Sequence, residues 1–528
     1  MSENGHSAMS HREVLEAMSG LLLGMLVAIL SSTVVSTALP RIIADLHGSQ
    51  SAFTWVVVAT LLALTVSTPI WGKLADLLDR KLLVQLSLVI FVAGSAVAGA
   101  AQSPGWLIAC RAVQGIGAGG LTALVQVILS DLVSPRERGR YMGYLGAVMA
   151  VGTVAGPLIG GVLTDSLGWR WCFYVGVPVA VAAIAVLQLT LHLPHRRREV
   201  SIDYAGALLL SAGVSLLLVW ISFAGTHFDW LSTETAVMVP GAIVLLAAAV
   251  WAMGRAREPL VPLALFANRT VVLAVIASVS VGVAMFGTSV FLAQYLQIAK
   301  GKSPTSSGLL TIPMVVGVMV ASTVIGRLIT RTGRYKGWML LGTVLMTAGL
   351  ALMGTLDEST SLAELAVFML AIGLGVGMVM QNLVLVVQNT LDPGQMGSGS
   401  ALVAFFRSLA GAIGVSVLGA ALAGRVKSTI ADGLAARGIH APPGAASGTQ
   451  VPDVHTLPGA IRGVVEHAYG VGVGEIFLIA APAGLVAFIA VLLIREVPLG
   501  THSGIELAAA GATQPAREPV IAGDASRE

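Results

Sequence analysis

Thirteen stretches of this chain run nineteen or more residues without an Asp, Glu, Lys or Arg: 17–40, 46–72, 82–110, 112–130, 141–164, 171–195, 204–228, 235–254, 270–299, 303–326, 337–356, 365–391 and 476–494. A fourteenth, about 399–424, is interrupted only by Arg407. About 20 apolar residues cross the ~30 Å hydrocarbon layer as a helix. A helix is also one of two ways to satisfy every backbone polar group in lipid. No soluble core needs so many segments of one length. The pattern predicts an all-α membrane protein with fourteen transmembrane helices.

Composition agrees where it bears on this. Charged residues make up 11% of 528 positions and hydrophobic ones 56%, against roughly 25% charged in soluble proteins. Glycine is abundant, 61 residues, and small residues let helix backbones approach closely where lipid offers no net hydrophobic gain. The two cysteines, Cys110 and Cys172, sit in or beside apolar spans and form no CxxC, which speaks against a disulfide framework and a metal site. Ser36-Thr37-Ala38 resembles a signal cleavage site, but the apolar run is too long and Pro40 follows, so the first helix is expected to be retained.

Sidedness comes from Lys and Arg. Loops on one side hold Lys73, Arg80 and Lys81; Arg136, Arg138 and Arg140; Arg196, Arg197 and Arg198; Arg255, Arg257 and Arg269; Arg327, Arg331, Arg334 and Lys336. With Arg12, Arg495, Arg517 and Arg527 they make 20 of the 30 basic residues. The opposite loops hold Arg41, Arg170, Lys300, Lys302 and four more within 425–470. Both termini are therefore expected in the cytoplasm. His195-Arg196-Arg197-Arg198 is read as topogenic charge rather than a nucleic-acid or lipid patch. The 425–470 segment, with its Pro- and Gly-containing 441–448 stretch, is expected to be an irregular outer loop with short amphipathic pieces.

Gly72-Lys73-Leu74-Ala75-Asp76-Leu77-Leu78-Asp79-Arg80-Lys81 joins spans two and three, and Gly326-Arg327-Leu328-Ile329-Thr330-Arg331-Thr332-Gly333-Arg334 joins spans ten and eleven. Both place Gly, a basic residue and Leu together, with Arg eight residues after the Gly. Such an internal duplication is typical of transporters. It predicts a cytoplasmic N-terminus over 1–17, a six-helix bundle over 18–192, a linker with two extra transmembrane helices over 193–254, and a second six-helix bundle over 255–496. The tail, 497–528, reads as disordered.

The 72–81 segment resembles the cytoplasmic signature of the major facilitator superfamily. Arg111-Ala112-Val113-Gln114-Gly115-Ile116-Gly117-Ala118-Gly119 is similar to its fourth-helix motif. Gly152-Thr153-Val154-Ala155-Gly156-Pro157-Leu158-Ile159-Gly160-Gly161 is similar to its fifth-helix antiporter motif. Residues 30–40 and Trp169-Arg170-Trp171-Cys172-Phe173 resemble the fourteen-span drug/proton antiporter group. The resemblance covers about 18–496.

It implies a secondary active multidrug efflux transporter of the cell membrane, exporting small amphiphilic or cationic molecules in exchange for protons by alternating access. Its partners would be small-molecule substrates, protons and membrane lipid, with no nucleic acid, no ATP and no cofactor beyond the proton gradient. It further implies that Gly72, Asp76, Arg80 and Asp131 form a conformational latch. In that latch Asp76 faces a helix N-terminus of the other half, where the dipole favours negative charge by roughly 0.3–1 kcal/mol, and Arg80 pairs with Asp131. An exporter of a lipid or a specific metabolite or antibiotic, or a proton-coupled symporter, would use the same scaffold.

Gly152, Gly156 and Gly160 lie four apart on one helix face, the close-packing pattern of membrane helices, and Pro157 removes a backbone hydrogen bond there. Arg111 sits between two long charge-free runs. A charge at that depth costs at least ~2.5–3.5 kcal/mol and needs a wet cavity or a partner, unless the side chain reaches the outer interface. Members of the group commonly carry Asp in the first helix where this chain has Ser31. That leaves Arg111, Asp165 and Glu475 as candidates for proton coupling. Ser32, Gln114, Gln294, Gln381, Asn382 and Arg407 are candidates for the substrate cavity, which is otherwise expected to be apolar.

An enzyme is disfavoured, since no HExxH, GxSxG or carboxylate cluster occurs. An ATP-driven pump is disfavoured too: Gly301-Lys302-Ser303 has Leu296, not Gly, five residues earlier.

Overall fold

The computed structural model describes residues 11–46, 50–133, 135–191, 203–224, 228–302, 304–392, 395–437 and 458–499. The Arg196–Arg198 cluster, the 441–448 stretch and the tail beyond 499 lie outside them, as do the side chains of Pro157 and Asp165. Among the described residues, fourteen helices are long and apolar enough to cross a membrane.

The first half contains α1 (His11–Asp45), α2 (Gln50–Leu77), α3 (Arg80–Gly99), α4 (Pro104–Leu132), α5 (Pro135–Ser166), and α6 (Trp171–Tyr174) continued by α7 (Gly176–Thr190). Then come α8 (Tyr204–Phe223) and α9 (Thr233–Arg255). A 3₁₀ turn, Leu263–Ala267, leads to the second half: α10 (Arg269–Gln294) with a π turn (Tyr295–Ala299), α11 (Pro304–Leu310), α12 (Ile312–Thr332), α13 (Lys336–Met353), α14 (Leu362–Asn389), α15 (Met396–Ala435) and α16 (Gly459–Leu493).

The two halves repeat one packing scheme. In the first, α2 and α3 both pack on α4, and α1 packs on α5 and α7, with α3 also touching α7. In the second, α12 and α13 pack on α14, and α10 packs on α15 and α16, with α13 touching α16. Between halves, α2 packs on α15 and α5 on α12, the exchange that a pseudo-two-fold axis produces. α8 and α9 pair with each other, and α8 lies over both α2 and α15. Side chains such as Leu82, Val162, Leu189, Leu208, Val237 and Trp251 are exposed around the outside, an apolar surface that lipid covers.

An even number of crossings puts the loops at 78–79, 256–268 and 333–335 on one side, here called the basic face. There Asp79 accepts from the backbone N–H of Lys81 and Leu82 and so caps α3. Gly333 ends α12 with φ of 69°, a left-handed conformation that glycine adopts without steric cost.

On the opposite face the structure departs from the expected irregular 425–470 loop. α15 is 40 residues long and α16 is 35, or about 60 and 52 Å at 1.5 Å per residue, well beyond the hydrocarbon layer. Their outer ends form a helical hairpin. Leu422, Val426, Ile430 and Leu434 recur every fourth residue on the buried stripe of α15, and Gly433 meets Val464 while Gly472 meets Leu422. The stripe continues the membrane span, so the amphipathic pieces are extensions of helices rather than islands in a loop. Nearby, Lys300 donates to the carbonyls of Glu358 and Thr360, both at 2.6 Å; burial pushes its ammonium pKa down. Hydrogen bonds from Ser359, and then from Thr360, hold the Asp357 carboxyl below the ordinary carboxylate value.

Candidate functional site

The 72–81 segment meets the other half through Asp76. Its carboxylate accepts from Gly397 N at 3.0 Å, Ser398 N at 2.9 Å and Ser398 Oγ at 2.8 Å. These are the first residues of α15, whose unpaired N–H groups and dipole favour an anion. Arg80 donates to the Ala75 carbonyl at 2.7 Å, pairs with Asp131, and lies 3.8 Å from Asp76. Arg80 and Asp131 are both buried, so neither group can lose the other without leaving a dehydrated charge. The three residues link α2, α3 and α4 to the start of α15.

Above this cluster the halves meet through uncharged polar groups. Gln126 Nε2 on α4 donates to Gln381 Oε1 on α14 at 2.9 Å, and Gln388 Nε2 reaches the Gln126 carbonyl at 3.3 Å and Ser400 Oγ at 2.6 Å. On the other seam, Thr323 Oγ1 donates to the Gly143 carbonyl at 3.4 Å. A Cβ on Gly143 would stand 2.7 Å from the Thr323 Cα. All these contacts lie within about three helical turns of the basic face, at 1.5 Å per residue. They bring the two halves into direct contact on that side.

The glycine face of α5 packs on α1. A Cβ at Gly152 would meet Ile29 at 2.8 Å. At Gly156 it would overlap Thr33, whose hydroxyl donates to the Gly152 carbonyl at 3.1 Å. Gly160 is buried and its carbonyl accepts from Thr164 at 2.6 Å, while Gly161 is half-buried. Pro157 lies in the same helix.

Of the three proton-coupling candidates, the two with described side chains, Arg111 and Glu475, are not brought together. Arg111 is buried, donates through Nη1 to Gln114 Oε1 at 3.1 Å, and leaves Nε without a partner. Glu475 pairs instead with Arg425 at 2.7 Å, and the two side chains are 43% and 49% exposed. A solvated pair of that kind contributes about 0–1 kcal/mol. Glu475 is not brought against Arg111. Asp165 falls near the end of α5, with its side chain outside the described residues. Ser31 is buried with Oγ unpartnered and faces Gly176 of α7, 2.7 Å from where a Cβ there would stand. That space suits a hydroxyl, not a carboxylate.

Of the cavity candidates, Gln114 is buried on α4 near Gly94, and Ser32 is exposed. Gln294 is half-buried where α10 turns π-helical, and Asn382 donates to the Met378 carbonyl of its own helix at 2.6 Å. Gln381 joins the interface with Gln126. Arg407 is buried on α15 with Nη1 unpartnered.

Sequence reasoning missed two members of this region. Gln126 shares the charge-free run 112–130 with Gln114, a signal that marks both as polar but neither as an interface residue. Glu258 pairs with Lys73 at 2.7 Å and ties the segment after α9 to α2; its sequence offers no cue to that partner, 185 positions away.

The family model described as Major Facilitator Superfamily matches residues 21–415. An uncharacterized MFS-type transporter of Mycobacterium tuberculosis (strain ATCC 25618 / H37Rv) is 37% identical over 484 residues, covering 91% of this chain and 69% of that protein. The multidrug transporter protein MdtP of Bacillus subtilis (strain 168) is 34% identical, covering 79% of this chain and 76% of that one. The structure of the proton:xylose symporter XylE superposes with a TM-score of 0.62 at 13% identity, covering 95% of this chain and 100% of that one. That last likeness shows the fold. With the family model, the relatives and the duplicated six-helix packing in agreement, this chain is a membrane transporter and belongs to the major facilitator superfamily.

Proposed function

We propose that the protein exports small amphiphilic molecules across the cell membrane in exchange for protons, by alternating access between halves spanning 18–192 and 255–496. The basic face is cytoplasmic in this reading, as the distribution of Lys and Arg favours. The observation that carries it is the Asp76 carboxylate on the N-terminus of α15. It couples the 72–81 segment to the opposite half and would be broken and remade in each cycle. With the basic face shut, the passage faces outward, the state in which an exporter releases cargo and takes up a proton. The name of a relative at 35% identity, efflux pump dotC of Dothistroma septosporum, supports the direction of transport.

One proton moving down ~100 mV supplies about 2.3 kcal/mol, which holds a neutral cargo at roughly a 45-fold gradient. Arg111 sets the field around the proton-accepting group, and Asp165 is the preferred acceptor because the glycine-rich helix carries it.

The test uses inverted vesicles with an imposed pH gradient. Adding an exported dye should dissipate the gradient, and Arg111→Ala should abolish that effect. Accumulation that needs ATP and ignores ionophores would overturn the reading.

A further inference from the structure

Arg111 and Arg407 are both buried within the bundle, and neither meets a carboxylate. The acidic side chains described in the spans sit elsewhere, with Glu16 near the start of α1, and Asp432 and Glu466 in the outer parts of α15 and α16. Asp76 and Asp131 belong to the basic-face cluster. Glu234 and Glu364 lie in the first turns of α9 and α14. Glu475 is held by Arg425 in an exposed pair. The middle of the bundle therefore holds two guanidiniums and, among the described side chains, no counter-charge.

Arg407 is the more constrained of the two. It lies eleven residues into α15 from Met396, about 16 Å along the helix and so near the middle of a ~30 Å layer. A Cβ on Gly282 would overlap the Arg407 carbonyl oxygen, and Ser278 donates to the Val403 carbonyl at 3.0 Å. α10 and α15 are thus in close backbone contact at this level.

Phe406 and Phe405, one and two residues before it, point to other faces of α15: Phe405 packs with Val214 and Leu218 of α8, and Phe406 stacks edge-on against Phe266. An arginine held deep in apolar surroundings, with an N–H group 5% exposed as a residue and unpartnered, is costly for stability alone. Its planar fork matches oxyanions.

We propose that Arg407 is the recognition group for an oxyanion, a carboxylate or sulfonate, borne by an amphiphilic cargo. This rests on the exporter reading and narrows its cargo to organic anions. A cationic cargo would need an acidic partner at this depth, and the described side chains offer none.

The test is equilibrium dialysis with the full chain in lipid nanodiscs, binding to empty discs being subtracted. The probes are anilinonaphthalene sulfonate and phenylnaphthylamine, the same skeleton without the sulfonate, with ethidium as a cation and laurate as a carboxylate competitor. The native protein should bind the sulfonate saturably and at least about tenfold more tightly than its neutral counterpart, with laurate competing. Arg407→Gln should weaken the sulfonate roughly 10–100-fold, the range for hydrogen bonds to charged groups, and leave phenylnaphthylamine unchanged. Arg407→Lys, which keeps the charge and loses the fork, should fall between.

Equal affinity for the matched pair in the native protein overturns the proposal, as does absence of saturable sulfonate binding; neither depends on a variant folding. Sulfonate affinity unchanged in Arg407→Gln also overturns it. Ethidium-driven proton flux alongside failed sulfonate binding would sink this inference and leave the exporter standing. Loss of all cargo-driven flux with sulfonate binding intact would do the reverse.

Discussion

Gly72 of α2 and Gly397 of α15 face each other without side chains between them. A Cβ on Gly397 would stand 2.7 Å from the Gly72 carbonyl oxygen, and one on Gly72 would stand 3.0 Å from that of Gly397 and overlap Ala401. The Asp76 hydrogen bonds to Gly397 and Ser398 form only because the helices come this close. Packing and electrostatics at the latch are one feature.

Gly72→Ala should therefore hold the two helices apart and lengthen every Asp76 contact. Transport should drop at least about tenfold, since hydrogen bonds to a charged group contribute roughly 1.5–3 kcal/mol, while protein in the membrane is unchanged. A maleimide reacting with a cysteine at Thr323 should label faster in this variant; equal labelling rates would show that the basic face closes without the glycine contact.

The Arg80–Asp131 pair is buried, and breaking one partner of such a pair costs about 3–5 kcal/mol. Arg80→Ala and Asp131→Ala should each lower thermal stability in detergent strongly. The double variant should lose clearly less than the sum, because no charge is then left unpaired. Additive losses would mean that the two side chains do not interact.

Gly156→Ala should abolish exchange, since the added methyl overlaps Thr33. Pairing it with Thr33→Gly removes the obstructing side chain and should restore a measurable part of the rate in proteoliposomes. Failure of the double variant to recover, with both singles folded, would assign Gly156 a role other than the α1–α5 contact.

Lys73 and Glu258 are partly shielded, at 9% and 28% side-chain exposure, and connect α2 to the segment leaving the extra helices. Lys73→Glu and Glu258→Lys should each slow transport several-fold, and the charge-swapped double should recover. The effect should shrink as salt rises, in proportion to the exposure of the glutamate. Identical rates in singles and double would leave the pair without a role in coupling.

The fourteen spans were legible in the sequence because the hydrocarbon layer imposes a length and excludes charge, a constraint that each segment meets alone. The same holds for the duplicated Gly-basic-Leu hairpin and for the glycines spaced four apart on α5, which are local patterns. The ends of α15 and α16 were harder: Leu422, Val426, Ile430 and Leu434 carry a helical period, but the charges among them and the glycines nearby resemble a loop until Val464 is known to pack opposite.

The partners of buried polar groups belong to tertiary structure. Nothing near Gln126 points to Gln381, 255 positions away, and nothing near Lys73 points to Glu258. Glu475 looks like a membrane acid in one dimension and becomes a solvated ion pair once Arg425 stands beside it. The sequence by itself determined how many segments are long and apolar enough to cross the bilayer, because burial of apolar length acts on each segment separately. Only the tertiary structure decided which polar groups are satisfied across the halves and which, like Arg407, are left facing one another's absence, because a hydrogen bond depends on two atoms meeting at about 3 Å and a linear pattern carries no distance.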